Sequence, residues 1–524
     1  MSSTRHKQDN TKIVEDIVRP PFEYHRTWRD NPLLKGTAFQ SPRPVDSAEA
    51  IPPPSVWRDE IPEAFWDGHP DAIACYRRAW EIVGSKIRAP EQGSGFTRNY
   101  VFTKFSGAVF VWGSCFITMF GKYGAGAFPF IRMLENFYGA QDSDGFIPRE
   151  LDISNGRSAF ARDDPSSVGG NIFAWAEWQW YRFSGDKSRL AEVYPALLAY
   201  HRWMRQHRTW QNGTYFASGW GCGMDNIPRI DSKLYSPEFE HGHISFVDVT
   251  FQQVFNARLL LRIAETIGVE TGRDELRDET DRLTRFANER MWDEEAGIYK
   301  DLDRDGHQIA CSHIGAFWAL IAGIATPERA RRLLATIEDP ARFAVACGTA
   351  STSKDDPGFD PDGGCYWRGG VWCMMEYMIA EGLYACGLGE ASHRLAHRHV
   401  DAVAEVFAKT GSIWESYSPT AVEPGKIYGQ LVRNEFVGFS GIAPIAMLIE
   451  HVFGIRASVD RIDWDVRLPE AHGVRRLRLG DGTLVDLECG PDPLDGSERR
   501  VSVRSSRQMP IFVNGKQMHA EKRN

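Results

Sequence analysis

Between about residues 65 and 455, apolar side chains recur at three- and four-residue steps, in long segments separated by Gly- and Pro-bearing loops. In the stretch from 246 to 267, Phe246, Val249, Val254, Ala257, Leu260, Leu261 and Ala264 share one broad face, with Arg258, Arg262 and Glu265 opposite. Gly268 stops that helix. Thr326-Pro327 starts a later one with an N-cap and a Pro at the first helical position. The periodicity predicts twelve helices, at about 68–87, 107–121, 125–139, 169–184, 187–208, 245–267, 273–291, 311–323, 326–337, 368–387, 390–409 and 437–454. No βαβ alternation and no repeat period interrupts them. They pair as six hairpins, which predicts a mostly α fold, an (α/α)6 toroid with its more apolar helices inside; an open bundle is the alternative. After Gly454 short alternating runs take over at 474–479, 483–487, 500–503 and 511–513, broken by Gly-Asp-Gly, Pro-Asp-Pro and Asn-Gly. These are strand and hairpin signals, and they predict a small C-terminal β module. The expected organisation is a Pro-rich arm over 1–55, a helical domain over 56–456 and a β-rich module over 457–524.

Charge narrows the partners. Lys and Arg total 61 against 70 Asp and Glu, a net charge of −9, without a long basic run. That excludes nucleic acid or an anionic membrane surface as the main partner. No run of about 18 apolar residues is present to span a bilayer, and the polar start from Met1 to Arg19 has no signal-like apolar core. The expectation is a cytoplasmic protein. Nine cysteines without a CxxC pair read as buried reduced thiols. No dinucleotide fingerprint, P-loop or nucleophile elbow stands at a strand-to-helix junction, and no cofactor is expected. The 17 Trp among 524 residues suit either the stacking of sugar rings or a thick helical core.

Four segments carry candidate chemistry. In the stretch 218–229, three glycines within five residues make a tight loop in which backbone can approach a ligand. Asp225 stands there between Met224 and Ile227, with Trp220 nearby. Apolar surroundings disfavour the charged carboxylate, as a general acid requires; the plain alternative is a turn cap shared with Asn226 and Arg229. Glu415 is flanked by Trp414 and Tyr417 ahead of a Pro, placed either to polarise a water or to sit on the surface over packed rings. Trp367, Arg368 and Trp372 form either a stacking wall with a hydrogen-bonding fork or the buried start of a helix. The segment from Gln141 to Glu150, which contains Arg149, is a polar Gly-Pro loop after a helix. His393, His397 and His399 lie in an Arg-rich run and read as a solvated face. Asp301, Asp303 and Asp305 lack the closing acidic residue of a calcium loop. No metal site is expected.

In this order, the segments resemble the inverting glycoside hydrolases with an (α/α)6 barrel, a group holding trehalases, processing α-glucosidases, and mannosylglycerate and glucosylglycerate hydrolases. The resemblance covers roughly 96–454. Residues 141–150, 223–229, 366–372 and 414–417 carry it, together with Met291-Trp292-Asp293-Glu294-Glu295-Ala296-Gly297-Ile298-Tyr299. It implies that Asp225 is the general acid and Glu415 the general base, their carboxyl groups about 6.5–9.5 Å apart to admit water. It further implies substrate contacts from Trp112, Gln141, Arg149, Glu150, Trp220, Asn226, Arg229, Trp367, Arg368, Trp372 and Tyr417. Two positions depart from the pattern. Gly113 stands where the group has an Asp that grips sugar hydroxyls, and Gly438-Phe439-Ser440-Gly441 replaces an aromatic-rich segment. Loss of such contacts changes specificity strongly. The implied activity is inverting hydrolysis of a small α-linked glycoside, either a disaccharide or a glycosylated small acid or polyol. A sugar epimerase working through His241, His243 and His313, or a non-catalytic sugar-binding protein, are the alternatives on the same barrel. The partner expected is a small carbohydrate.

Overall fold

The computed structural model describes residues 29–39, 50–103, 107–491 and 499–523. All twelve expected helical segments are present, and they alternate between two kinds. Val111–Gly121, Phe173–Ser184, Val247–Ile267, Trp318–Ile321, Cys373–Ala385 and the π-helical Ala443–Val452 are buried on nearly every side. Each packs on the next, and Ala443–Val452 returns to pack on Val111–Gly121. Their aromatic rings meet centrally: Trp175 stacks on Tyr377 at 5.8 Å and stands edge-on to Trp318 at 6.0 Å. Glu450, on the last of these helices, binds Lys122 just beyond the first at 2.8 Å and accepts from Tyr377 at 2.7 Å. The intervening helices Lys187–His207, Arg273–Phe286, Pro327–Glu338 and Gly389–Thr410 bury one stripe only. Their ends follow the sequence signals. Thr326 accepts from the Arg329 N–H, and Gly268 ends Val247–Ile267 in the left-handed region at φ 79°.

Two helices are broken where the periodicity predicts continuity. Phe130–Leu134 is 3-10 before Glu135–Gly139, and Ile314–Phe317 is 3-10 before Trp318–Ile321. A third begins late. The helix expected from 368 starts at Cys373, because Cys365 and Tyr366 adopt positive φ (32° and 69°) and hold 364–372 as a loop.

The C-terminal strands form a five-stranded sheet and a four-stranded one. In the first, His472–Arg478, Leu484–Pro491 and Arg499–Ser505 pair antiparallel, with Val474 opposite Leu487 and Leu487 opposite Val503. Its edge strand carries no sequence signal: Glu63–Trp66, from far upstream, pairs with His472–Arg475 and crosses the expected domain boundary. Residues 1–28 and 40–49 of the Pro-rich arm lie outside the described residues. The described part is held, since the Asn31 N–H donates to the Ser143 carbonyl at 2.7 Å and Phe39 meets Tyr138 edge-on at 5.3 Å.

All nine cysteines are free thiols, and all but Cys386 are buried. The His-rich run is less exposed than its charge implies. His397 pairs with Asp401, but His399 is buried and bonds the Cys347 carbonyl at 2.7 Å. Among the described residues no helix is long and apolar enough to cross a membrane.

Glu376 is a buried carboxyl on Cys373–Ala385 that accepts from the Thr349 N–H and leaves Oε2 without a described partner. Burial pushes its pKa from 4.5 to about 7, against the opposing charge of Arg398. A folded pKa above the unfolded one costs stability as pH rises between the two values, and the cost is complete above the higher. Glu376→Gln is therefore expected to raise Tm by roughly 2–4 °C at alkaline pH and not near pH 4. Calorimetry at both pH values checks this, and an equal shift at both would contradict it.

Candidate active site

The cavity, of about 300 Å³, opens at the N-terminal ends of the buried helices, among the loops that lead into them. Its acidic side comes from the glycine-rich stretch 218–229. Ser218 caps the single turn Gly219–Cys222 through the Gly221 N–H at 3.0 Å, and Gly223 ends it at φ 80°. A Cβ on Gly219 would lie 2.0 Å from the Asp225 carbonyl oxygen, and one on Gly221 2.4 Å from that of Pro165. These glycines let the chain fold back on itself and present Asp225 to the cavity. Burial pushes the Asp225 carboxyl up from 3.8 to about 7; Arg149 opposes the shift, while Glu415 and Glu238 add to it.

Glu415 lies across the same cavity and is buried. The Tyr366 hydroxyl donates to its Oε1 at 2.8 Å, and Arg433 donates to Oε1 at 2.8 Å and Oε2 at 2.7 Å. Arg433 thus reaches both Glu415 oxygens through its one Nη1. The left-handed backbone at Tyr366 is what turns its ring toward Glu415, and Val371 and Tyr417 exchange two backbone hydrogen bonds at 2.9 Å that fix the two loops together.

Of the sequence-expected contacts, Trp112, Arg149, Glu150, Trp220, Trp367 and Trp372 line the cavity with Asp225 and Glu415. Trp367 and Trp372 stack on each other at 4.1 Å. Gln141, Asn226, Arg229, Arg368 and Tyr417 do not line it, each being used by the protein itself. Gln141 donates to the Gly145 and Ala196 carbonyls, both at 2.9 Å. Asn226 donates to the Cys365 carbonyl and accepts from the Trp367 N–H, tying the Asp225 loop to 364–372. Arg229 is buried against Asp248 at 2.6 Å and Asp301 at 3.5 Å. Arg368 donates to the Gly358 carbonyl, and the Tyr417 hydroxyl accepts from the Trp414 N–H. Gly113 lines the cavity, and a Cβ there would meet nothing within 4 Å.

Sequence reasoning missed Asp152, Arg157, Phe160, Tyr366, Phe439 and Arg433. The first five line the cavity, and Arg433 holds Glu415 from behind. Tyr366 and Phe439 stand in segments that the sequence singles out; Arg433 carries no signal. His241, His243 and His313, which an epimerase would need, are absent from the described lining, and His313 is committed to Asp301 at 2.9 Å. Away from the cavity, Glu381, Glu450 and His451 bring donor atoms within 4.8 Å of one another. Arg456 at 2.7 Å and Lys122 at 2.8 Å already neutralise those carboxylates, so the group is an ion-pair network.

A family model described as the mannosylglycerate hydrolase MGH1-like glycoside hydrolase domain matches residues 130–426. A protein of Borreliella burgdorferi is 26% identical over 377 residues, covering 70% of this chain and 76% of its own length. Mannosylglycerate hydrolase MGH1 of Selaginella moellendorffii is 27% identical over 281 residues, 44% of this chain and 55% of that protein, so the chain spans about half of that relative. Among solved structures, the GH63 mannosylglycerate hydrolase from Thermus thermophilus in complex with Tris and D-glycerate aligns with a TM-score of 0.55 at 20% identity, covering 71% of this chain and 99% of that one. At that identity the structural likeness speaks to fold alone.

Proposed function

The chain belongs to the MGH1-like glycoside hydrolase family, and from that premise we propose that it cleaves a small α-linked glycoside with inversion, Asp225 acting as general acid and Glu415 as general base. The substrate is a disaccharide or a glycosylated small acid or polyol. The fold is read as an (α/α)6 toroid over 56–456, carrying the 1–55 arm and the 457–524 β module, and the closed neighbour order of the six buried helices supports that reading. The reading places the protein in the cytoplasm.

The observation that carries the mechanism is a pair of carboxyl groups in one cavity with opposite surroundings. Burial raises the Asp225 carboxyl to about 7, while Glu415 is ion-paired with a guanidinium. A carboxylate offers about four lone-pair sites. Tyr366 and Arg433 take two at Oε1 and Arg433 one at Oε2, which leaves Oε2 a free site among the described residues. A water accepted there loses its proton to Glu415 as its oxygen attacks the anomeric carbon. The glycosidic bond breaks on the opposite face, and the Asp225 proton goes to the leaving oxygen. Trp367 and Trp372 supply apolar wall to the ring in between.

The test is NMR of the full chain with α-glucosides, α-mannosides, trehalose, mannosylglycerate and glucosylglycerate. The expected first product is the β-anomer of the released sugar; an α-anomer first would overturn inversion. The acid also sets a pH limit. Because Asp225 must hold its proton, kcat/KM is expected to fall as pH rises through about 7. A rate flat from pH 6 to 9 on the turned-over substrate would contradict that role.

A further inference from the structure

We infer that the leaving group accepted by this site is neutral and carries a flat apolar face, an aryl ring or the C–H face of a second sugar, rather than a carboxylate. This rests on the hydrolase reading above and narrows its substrate class. The leaving oxygen must lie beside the acid, so the walls on the Asp225 side are those of the leaving group.

Those walls are aromatic. Trp220 shares the loop of Asp225 and lines the cavity. Phe239 packs on its ring at 4.7 Å and Phe160 meets it edge-on at 5.7 Å. Phe239 is 44% exposed, one of five large apolar side chains left so open among the described residues. Trp220 and Phe160 line the cavity, and Phe239 packs on Trp220 without lining it, so a flat apolar group laid on Trp220 would cover aromatic surface there.

The charges disfavour an acid. With Asp225 serving as the protonated acid and Glu415 paired with Arg433, the carboxylates left in the lining are Glu150 and Asp152, against two guanidiniums, Arg149 and Arg157. Arg149 is spent on Glu150 at 2.6 Å and sits between the rings of Phe160 at 4.9 Å and Trp220 at 5.0 Å. Glu238 joins the carboxylates near the acid, its carbonyl bonded by the Trp220 N–H. Among the described lining residues Arg157 is the remaining cation, and it is solvent-exposed, where water and salt weaken its pull on an anion.

The experiment compares full-chain kcat/KM on α-glycosides of the accepted sugar that carry benzyl alcohol, a second glucose or D-glycerate, all leaving groups of similar difficulty. The α-glycosyl fluoride, which needs no leaving-group pocket, is the reference. Benzyl glycoside or disaccharide is expected to exceed the glycerate by about tenfold or more, and which of the two leads tells an aryl pocket from a sugar subsite. Phe239→Ala is expected to lower the benzyl-to-fluoride or disaccharide-to-fluoride ratio about 3–10-fold, and Trp220→Phe to lower it less. Failure to hydrolyse the fluoride and every glycoside would overturn the hydrolase reading itself. Fluoride hydrolysis with the glycerate preferred, and that preference lost in Arg157→Ala, would overturn the neutral leaving group and leave the hydrolase standing.

Discussion

Asp225→Asn is expected to lower kcat/KM on an unactivated α-glycoside by about 10²–10⁴-fold, the usual contribution of a positioned general acid. The same variant should keep most of its activity on a glycosyl fluoride or dinitrophenyl glycoside, whose leaving groups depart without a proton. The expectation is specific because the change is nearly isosteric. Asp225 reaches the cavity through a loop fixed by Ser218, by the close backbone approaches at Gly219 and Gly221, and by the Asn226 link to 364–372. None of these uses the Asp225 side chain, so the loop should hold its shape in the variant. Thermal melting checks that, and the alkaline fall through about pH 7 should vanish with the carboxyl. Equal losses on activated and unactivated substrates would mean that Asp225 holds the sugar or the loop and delivers no proton.

The helices were legible because their signal is local: apolar spacing, a Thr-Pro start and a Gly stop each act within a few residues. The edge strand Glu63–Trp66 was not, since the strand it pairs with lies some 400 residues downstream, at His472–Arg475. The site divides in the same way. The glycines around Asp225 signalled a backbone packed too tightly for side chains, and that is how the loop is built. Whether a polar side chain in such a loop faces a ligand or its own backbone leaves no mark on spacing. Asn226, Arg229 and Gln141 all turn to the protein, and they serve the site by holding its loops. Arg433 was invisible for the opposite reason. It is a lone Arg in a mixed stretch after Leu431 and Val432, and only the fold carries it to Glu415. Tyr366 required a positive φ that no sequence rule assigns to a tyrosine.

Glu415→Gln is the second large effect, an expected loss of about 10²–10⁴-fold in kcat with little change in KM, since the proposed base acts on water and touches the sugar only in the transition state. Activated substrates should not rescue it, because its step is the activation of the nucleophile rather than departure of the leaving group. Azide should. An anion that needs no deprotonation can enter where the water stood and attack the anomeric carbon from the face opposite the leaving group, giving a β-glycosyl azide from an α-glycoside. The variant also tests the clamp around the base. Arg433 and Tyr366 would face a neutral amide in place of a carboxylate, and the Gln NH2, at either oxygen position, would cost one Arg433 hydrogen bond. Azide therefore meets a guanidinium that no longer faces the Glu415 charge, which favours its binding. Product configuration decides the matter. The β-azide supports single displacement with the attacking position beside Glu415, an α-azide would be net retention through two displacements and would overturn the inverting assignment, and wild-type turnover without azide would remove Glu415 from the chemistry.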